Sequence, residues 1–317
     1  MTKKFDGTAA HDLNDYFGRV RHFLDVIDPR SLLASQADVE RAVDLLNRFK
    51  RGEAQGVSDD ELWAAQKLKQ AVLHPVTNEP IFPPLRMSAF IPMNVPILLG
   101  MISATSGPAT AAWQVVNQSY NSALNYANRS GADVSNAQIL QSYGIAVSTA
   151  LGISFGIRAA ARRGPAGLRK ALDRVPWVVP YSAVAGAGAA NILASRFTEI
   201  TNGVPVSTED GTVVGVSRRA GAQGVTKTIV TRAIGLPLPA LVLPPLIMSA
   251  LPVPPQAKMA TEVVVVTMCL AGALPLAIAL FPPRLELDVN SLEEEFRNLK
   301  DPKTGERVKT LFANKGL

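Results

Sequence analysis

Five long apolar runs occupy the middle of this chain and limit what it can fold into. They cover roughly residues 89–104, 139–161, 175–194, 225–251 and 262–281. Several of them approach the roughly 20 residues that a helix needs to cross a bilayer. The flanking regions, 1–84 and 284–317, are rich in charge instead. The sequence therefore predicts an all-α multi-pass membrane protein of about five transmembrane helices. Residues 85–283 form its membrane domain, between an N-terminal soluble helical region and a soluble C-terminal tail.

Proline interrupts two of these runs. The first contains Pro92 and Pro96, and the fourth contains four prolines between residues 237 and 245. Proline lacks a backbone N–H and clashes with the preceding turn, so we expect kinked or discontinuous helices there. The second run carries Gly152 and Gly156 at a spacing that lets helices approach closely in lipid, and the glycine- and alanine-rich third run predicts another close-packing face.

The flanking regions carry start signals for shorter elements. Helix 9–27 is predicted from its amphipathic pattern, and Ser35 and Ser58 open two further helices, each with an acidic residue three positions later. Between the third and fourth runs, residues 204–214 read as a small β-hairpin around a turn. In the tail we expect a helix over residues 292–299.

The basic residues are concentrated in one connection. Between Arg158 and Arg174 there are six Lys or Arg against one Asp, whereas the whole chain has a net charge of +6. A short basic loop between apolar runs is typical of an orientation signal and of anionic-lipid contact, not of nucleic-acid binding. With five spans, the two ends of the chain lie on opposite sides of the membrane. The basic loop then shares the inner side with the N-terminus, and Arg218, Arg219, Lys227 and Arg232 lie on the other side.

A stripe of amide side chains runs along the predicted helix 109–129. At about 100° per residue its members fall within an arc of roughly 80°. We call this set the amide stripe; it comprises Gln114, Asn117, Asn121, Asn125 and Asn128. Such groups are costly in lipid unless they face protein, water or a polar ligand, so the stripe predicts a site for a small polar solute. The alternative is the wet face of a helix that lies flat at the membrane surface.

Features of enzymes, metal sites and cleaved leaders are not found in the sequence. The chain has one cysteine and three scattered histidines, and it has no metal-ligand spacing, nucleophile–His–acid set or phosphate loop. We expect no enzymatic activity and no cofactor. The N-terminus has no apolar signal core and is rich in aspartate, so any organelle address is expected to be internal.

Several phrases, taken in order along the whole chain, resemble the sideroflexins, also called the mitochondrial tricarboxylate-carrier family. They are Asp28-Pro29-Arg30, Leu32-Leu33-Ala34-Ser35, Glu61-Leu62-Trp63, His74-Pro75, Pro84-x-Arg86-Met87-x-Ala89-Phe90-x-Pro92-Met93-Asn94, Asn117-Gln118-Ser119-Tyr120-Asn121, Asn125-Tyr126-Ala127-Asn128-Arg129, Gly203-Val204-Pro205-Val206 and the closing Asn314-Lys315-Gly316-Leu317.

The resemblance implies a multi-pass protein of the mitochondrial inner membrane without a cleaved presequence. It implies import of serine and related small neutral amino acids that feed one-carbon metabolism, and members are also tied to iron and haem homeostasis. One departure stands out: the family usually has Asp after His-Pro and Gly two residues further on, where this chain has Val76 and Asn78. That difference puts a shared role of the turn in doubt.

Two classes of function remain. The first is a transporter whose amides bind a zwitterion, because an amide offers both a donor and an acceptor. Its predicted substrate-binding residues are Asn94, Asn117, Gln118, Asn121, Asn125, Asn128 and Arg129; Arg129 could instead cap its helix. His74, Pro75 and Thr77 are predicted as gating or turn residues. The second class is a non-transporting membrane scaffold or assembly factor, in which the amides pack helices together. Expected partners are serine or related amino acids, membrane lipid, and further copies or other inner-membrane proteins.

Overall fold

The computed structural model describes residues 4–74, 77–128, 136–175, 177–282, 284–300, 305 and 307–314. The N-terminal region contains three helices, α1 (Tyr16–Val26), α2 (Gln36–Lys50) and α3 (Asp59–Val72). Ser35 and Ser58 both close the predicted capping boxes, with Asp38 and Glu61 as partners. The starts of α2 and α3 are thus confirmed. Helix α1 is shorter than the predicted 9–27, because Asp15 caps it and accepts a hydrogen bond from the Gly18 N–H.

Helix α1 is held in place by polar contacts with the membrane domain and with α3. Arg19 in α1 donates from Nε to the carbonyl of Ala279 at 2.8 Å, just after the last long helix, α13 (Lys258–Ile278). A cation at a helix C-terminus satisfies a free carbonyl and complements the helix dipole. Lys67 of α3 bridges Asp25 and Asp28, at 2.8 Å from each. Helix α1 is therefore held both by α3 and by the end of α13.

Four helical stretches in the described residues are long and apolar enough to cross a membrane: Ile139–Arg163, Val178–Ser195, Arg218–Ala250 and Pro255–Ile278. They correspond to runs two to five. The first run forms the shorter α4 (Phe90–Ser103), which is followed by α5 (Gly107–Ala127). The sequence predicts a kinked or discontinuous helix here; α4 is continuous, so the discontinuity does not occur. Pro92 lies in its first turn, where no backbone donor is required, and only Pro96 lies inside the helix.

The second and third runs form α6 (Asn136–Arg163) and α8 (Val178–Ser195), joined by the short basic helix α7 (Ala166–Arg174). Small side chains line their contact, with Ala150 and Ala183 both fully buried. The predicted close approach at Gly152 and Gly156 is wrong within this chain, since an added Cβ would meet nothing within 4 Å at either. The close contact occurs in the third run, where a Cβ on Gly188 would lie 3.2 Å from Ala233.

The fourth run is irregular, as its prolines predict. It consists of α10 (Arg218–Thr228), a π-helical segment (Ile229–Gly235), α11 (Pro237–Leu241) and α12 (Leu243–Ala250). In the π-helical segment the Leu236 N–H reaches back to the Thr231 carbonyl at 2.9 Å. Wide turns of this kind occur frequently at functional sites.

A small antiparallel sheet joins the hairpin to the tail. The hairpin strands are β1 (Val204–Ser207) and β2 (Val213–Ser217), preceded by the short helix α9 (Phe197–Thr201), and the tail provides β3 (Arg284–Asp288) and β4 (Thr310–Asn314). Their order is β2-β1-β4-β3. The predicted hairpin is confirmed, but the predicted tail helix over 292–299 is wrong. Only a three-residue 3₁₀ turn, Glu294–Phe296, forms there, and Phe296 packs under the sheet.

Contacts near the helix ends show in which direction α4, α5 and α6 run relative to one another. The end of α5 lies beside the start of α4, because the Tyr120 hydroxyl reaches the Pro84 carbonyl at 3.3 Å. The end of α6 lies beside the α4–α5 turn, because Arg158 donates to the Ala104 carbonyl at 3.0 Å. Helices α4 and α5 thus run out and back before the four long stretches follow.

This arrangement brings the N-terminal helices and the C-terminal sheet to one end of the bundle, which we call the sheet end. Arg19 contacts the carbonyl of Ala279 there, and β3 begins five residues after Ala279, at Arg284. The basic connection from Arg158 to Arg174 lies at the opposite end. The prediction of ends on opposite sides, with the basic loop beside the N-terminus, is wrong because α5 makes a return pass that the hydropathy pattern did not count.

Candidate functional site

The amide stripe lies on the buried face of α5. Gln114 and Asn117 are only 1 % and 3 % exposed, Asn121 is half-buried and Asn125 is exposed. The helix packs against α4 and α6, with smaller contacts to α8. A helix lying flat at the membrane surface would expose these amides to water, so that alternative is excluded for the deep half of the stripe. Burial decreases from Gln114 to Asn125, and Asn128 at the end of the helix is half-buried.

The deep amides are incompletely hydrogen-bonded. Asn121 donates from Nδ2 to Asn117 Oδ1 at 3.2 Å. Among the described residues, no partner is found for Gln114 Oε1 or Asn117 Nδ2, although both atoms are buried. Buried polar atoms are nearly always satisfied, and an unsatisfied one is costly inside a membrane. One free acceptor and one free donor thus lie about one helical turn apart on α5.

Other predicted residues have mainly local partners. Asn128 donates from Nδ2 to the carbonyls of Leu85 and Leu124, at 2.8 Å each, and so ties the end of α5 to the segment before α4. Asn94 in α4 donates to the carbonyl of Phe90, one turn earlier, at 2.8 Å. Gln118 is buried, but it lies at the edge of the stripe. These contacts describe packing more directly than solute binding.

The predicted turn is a compact local structure. His74 accepts at Nδ1 from the Thr77 N–H at 3.2 Å, and Thr77 Oγ1 accepts from the Glu79 N–H at 3.3 Å. Asn78 adopts a positive φ of 56°. Glycine favours that conformation, and asparagine tolerates it better than most residues, so Asn78 preserves the backbone of the turn. Pro75, Val76 and Arg129 lie outside the described residues, and a gating role for the turn stays a prediction.

Two arginines mark the ends of the stripe, and the sequence analysis assigned a site role to neither. At the deep end, Arg158 of α6 donates to the carbonyls of Ala104 and Thr105 and to the Thr110 hydroxyl, which ties α6 to the turn between α4 and α5. At the sheet end, Arg232 of the π-helical segment donates from Nη2 to Asn125 Oδ1 at 3.3 Å. Both could have been found from the sequence, because each is an arginine within an apolar run. Charged residues are rare in such runs and are by default candidates for a functional site.

A cavity of about 400 Å³ lies on the opposite face of α5, between it and α6. Its lining is mostly apolar, apart from the hydroxyls of Ser119, Ser122, Tyr126 and Tyr143. Ser119 and Tyr143 hydrogen-bond to each other at 2.9 Å. The helical positions of Ser119 and Tyr126 are roughly 150° from the centre of the stripe, so this cavity and the amides are separate features.

Metal-binding side chains do not cluster in the described part of the chain. No group of three or more His, Cys, Asp or Glu lies close enough together there to hold an ion. Cys269 is a half-buried free thiol in α13. The polar chemistry of the membrane domain therefore centres on the amides of α5 and the arginines beside them.

Comparison with known proteins gives one consistent result. The family model described as Sideroflexins matches residues 7–317. The chain is 38 % identical to the protein named Sideroflexin of Dictyostelium discoideum, over 99 % of this chain and 98 % of that protein. It is also 38 % identical to human Sideroflexin-5, over 98 % and 92 % of the two chains. With mouse Sideroflexin-3 the identity is 34 %, over 96 % and 95 %. No solved structure matches this chain.

Proposed function

This chain belongs to the sideroflexin family of membrane transporters, and on that premise we propose that it carries small neutral amino acids, serine foremost, across the mitochondrial inner membrane. In that role it supplies one-carbon metabolism. The solute moves along the amide stripe of α5, between the sheet end and the deep end beside Arg158.

The unsatisfied pair on α5 is the observation that carries the proposal. Within the described part of the chain, Gln114 Oε1 has no donor and Asn117 Nδ2 has no acceptor, and both atoms are buried in the bundle. A zwitterion carries a donor ammonium and an acceptor carboxylate, so one bound amino acid completes both hydrogen bonds. An apolar solute satisfies neither, and a simple cation or anion satisfies one.

The gradient of burial along α5 supports a path rather than a closed packing contact. Asn125 is exposed at the sheet end, Asn121 is half-buried, and Asn117 and Gln114 are buried. A solute can therefore exchange water for amide contacts one helical turn at a time. Amides that served only to pack helices would be paired with one another throughout.

Uptake of labelled serine into liposomes that contain the purified protein tests the proposal. We expect saturable uptake that excess alanine inhibits and that a non-amino-acid solute of similar size, such as glycerol, does not inhibit. Asn121→Ala should reduce this flux several-fold at unchanged amounts of folded protein. Asn47→Ala, an exposed amide outside the bundle, is the matched control and should transport normally.

Two results would count against serine transport. Uptake no greater than in empty liposomes, from protein that elutes as a folded species, would contradict it and favour the membrane scaffold. An equal loss of flux and of folded protein in Asn121→Ala would assign Asn121 to helix packing.

A further inference from the structure

Arg232 is a cation inside a membrane-crossing stretch. It lies in the middle of the π-helical segment Ile229–Gly235, within the apolar stretch Arg218–Ala250. Its neighbours Val230 and Ile234 are 42 % and 45 % exposed. Arg232 itself is half-buried and reaches Asn125 on α5. Its side chain therefore points toward α5, at the exposed end of the amide stripe.

Among the described residues, the charge of Arg232 is not balanced by a neighbouring acid. In the part of the chain that the structure describes, no carboxylate lies within 4 Å of its guanidinium. The nearby Arg196 is different, because it pairs with Glu199 at 2.6 Å and donates to Thr228 at 2.7 Å. A half-buried cation whose described hydrogen bond is to a single amide leaves several donors free.

Such an arrangement is costly for stability alone. Charged groups at membrane depth are normally paired or line a polar path. Arg232 also occupies a π-helical segment, a type of turn that is rare and concentrated at functional sites. Gly188 of α8 allows this segment to pack closely, since Ala233 lies 3.2 Å from the position of an added Cβ. The backbone thus holds Arg232 firmly beside α5.

We propose that Arg232 is the carboxylate anchor of the solute path: its guanidinium binds the α-carboxylate of the entering amino acid beside Asn125, at the sheet end. The planar fork of the guanidinium matches a carboxylate with two parallel hydrogen bonds. The amides further along α5 then receive the ammonium. This assignment rests on the proposed function, and it adds that the transporter selects solutes by their carboxylate.

Binding and flux are both measured on the same purified protein. The role of Arg232 in binding and the transport function can then be contradicted independently of each other. The probes are labelled serine, with unlabelled serine, serinamide or ethanolamine as competitors; the last two lack the carboxylate. The variants are Arg232→Gln, which removes the charge, and Arg232→Lys, which keeps the charge and loses the fork. Arg218→Gln is the matched control, an exposed arginine at the start of the same stretch.

In the wild-type protein, serine should displace the label far better than serinamide or ethanolamine. Arg232→Gln should weaken serine binding about 10- to 100-fold, the range for a lost charged hydrogen bond. Its affinity for the two analogues should hardly change, so the discrimination collapses. Arg232→Lys should lie in between, and Arg218→Gln should resemble wild type. The thermal midpoint of Arg232→Gln should be equal or higher, because an unpaired charge has been removed.

Several results overturn the anchor. One is that Arg232→Gln still binds serine in preference to serinamide and ethanolamine. Another is that its thermal midpoint falls in parallel with its affinity for serine, which would make Arg232 a packing residue. Equal binding by Arg232→Lys and wild type, lost when anionic lipid is omitted, would assign the charge to a lipid phosphate instead. Carboxylate-selective binding that needs Arg232, without flux in the wild type, would support the anchor while contradicting transport.

Discussion

Gly100 of α4 offers a sharp test of how α5, and with it the amide stripe, is positioned. A Cβ on Gly100 would lie 2.1, 2.3 and 2.4 Å from three ring atoms of Trp113 on α5. Carbon atoms in ordinary contact lie about 3.5–4.0 Å apart, so the indole or the helix must retreat by about 1.4 Å or more. The indole ring is rigid, so it cannot avoid the added methyl group by rotating a flexible terminal group.

The expected cost of Gly100→Ala follows from this overlap. Overpacking of this kind destabilises by about 1–3 kcal/mol. That range lowers the folded-to-unfolded ratio about 5- to 160-fold. Gly152→Ala in α6 is the matched control, because its added Cβ meets nothing within 4 Å. Alanine also favours helix over glycine, so the control should be as stable as wild type or more so.

The assay heats each purified variant in detergent and measures the fraction that still elutes as a monodisperse species. Gly100→Ala should lose this fraction at a lower temperature than wild type and Gly152→Ala. In a Trp113→Leu background, Gly100→Ala should lower the thermal midpoint less than it does in the wild-type background. This difference is the coupling between the two neighbouring residues in a double-mutant cycle. Equal midpoints for Gly100→Ala and Gly152→Ala, with no coupling to Trp113, would refute the packing of α4 on α5.

Three further predictions concern the parts around the bundle. Arg19→Ala should destabilise the docking of the N-terminal helices by about 1.5–3 kcal/mol, seen as faster release of this region by limited proteolysis, because three backbone carbonyls lose their donor. Burial raises the pKa of Glu293, but hydrogen bonds from the Ser217 hydroxyl and the backbone at the start of α10 outweigh this and lower it. The stabilisation is therefore present above the unfolded pKa of about 4.3 and is lost as pH falls through the folded value, so Glu293→Gln should lower the thermal midpoint at pH 7 but match wild type in strong acid. In a background without the native cysteine, Gln55→Cys and Glu295→Cys should react with an impermeant thiol reagent from the same side of the membrane and Lys170→Cys from the other; labelling of Gln55→Cys and Lys170→Cys from one side would contradict the bundle.

Local signals in the sequence predicted local structure well. The serines that open α2 and α3 act on backbone groups within one turn, so their capping boxes form as expected. The irregular fourth run follows directly from its prolines. Asn78 keeps a positive φ, which explains how this chain replaces the glycine expected in its turn.

Errors arose where distant segments meet. The sequence predicted a helix over residues 292–299 and no strand in the tail, although Leu285 and Leu287 alternate with charged residues as in a strand with one buried face. The partner of β3 is β4, and β4 also meets β1, about 100 residues earlier at Ser207. The sequence of the tail alone does not reveal this pairing, because the partner strands are distant along the chain.

The amide stripe illustrates both the reach and the limit of sequence reasoning. Helical spacing placed the amides on one face of α5, and that face is the buried one at Gln114 and Asn117. Spacing could not show the gradient of burial or the contact of Asn125 with Arg232, because those depend on α4, α6 and the π-helical segment. The predicted site also includes Asn94 of α4 and Asn128 of α5, and both donate to backbone carbonyls in the structure.

The most direct test of the central claim is serine uptake by the double variant Asn117→Ala/Asn121→Ala in liposomes, measured beside wild type and a double variant of exposed amides, Asn14→Ala/Asn47→Ala. If the amide stripe is the solute path, saturable uptake disappears only in the first variant, while all three proteins elute as folded species. Wild-type rates in Asn117→Ala/Asn121→Ala would contradict the assignment of the path to α5.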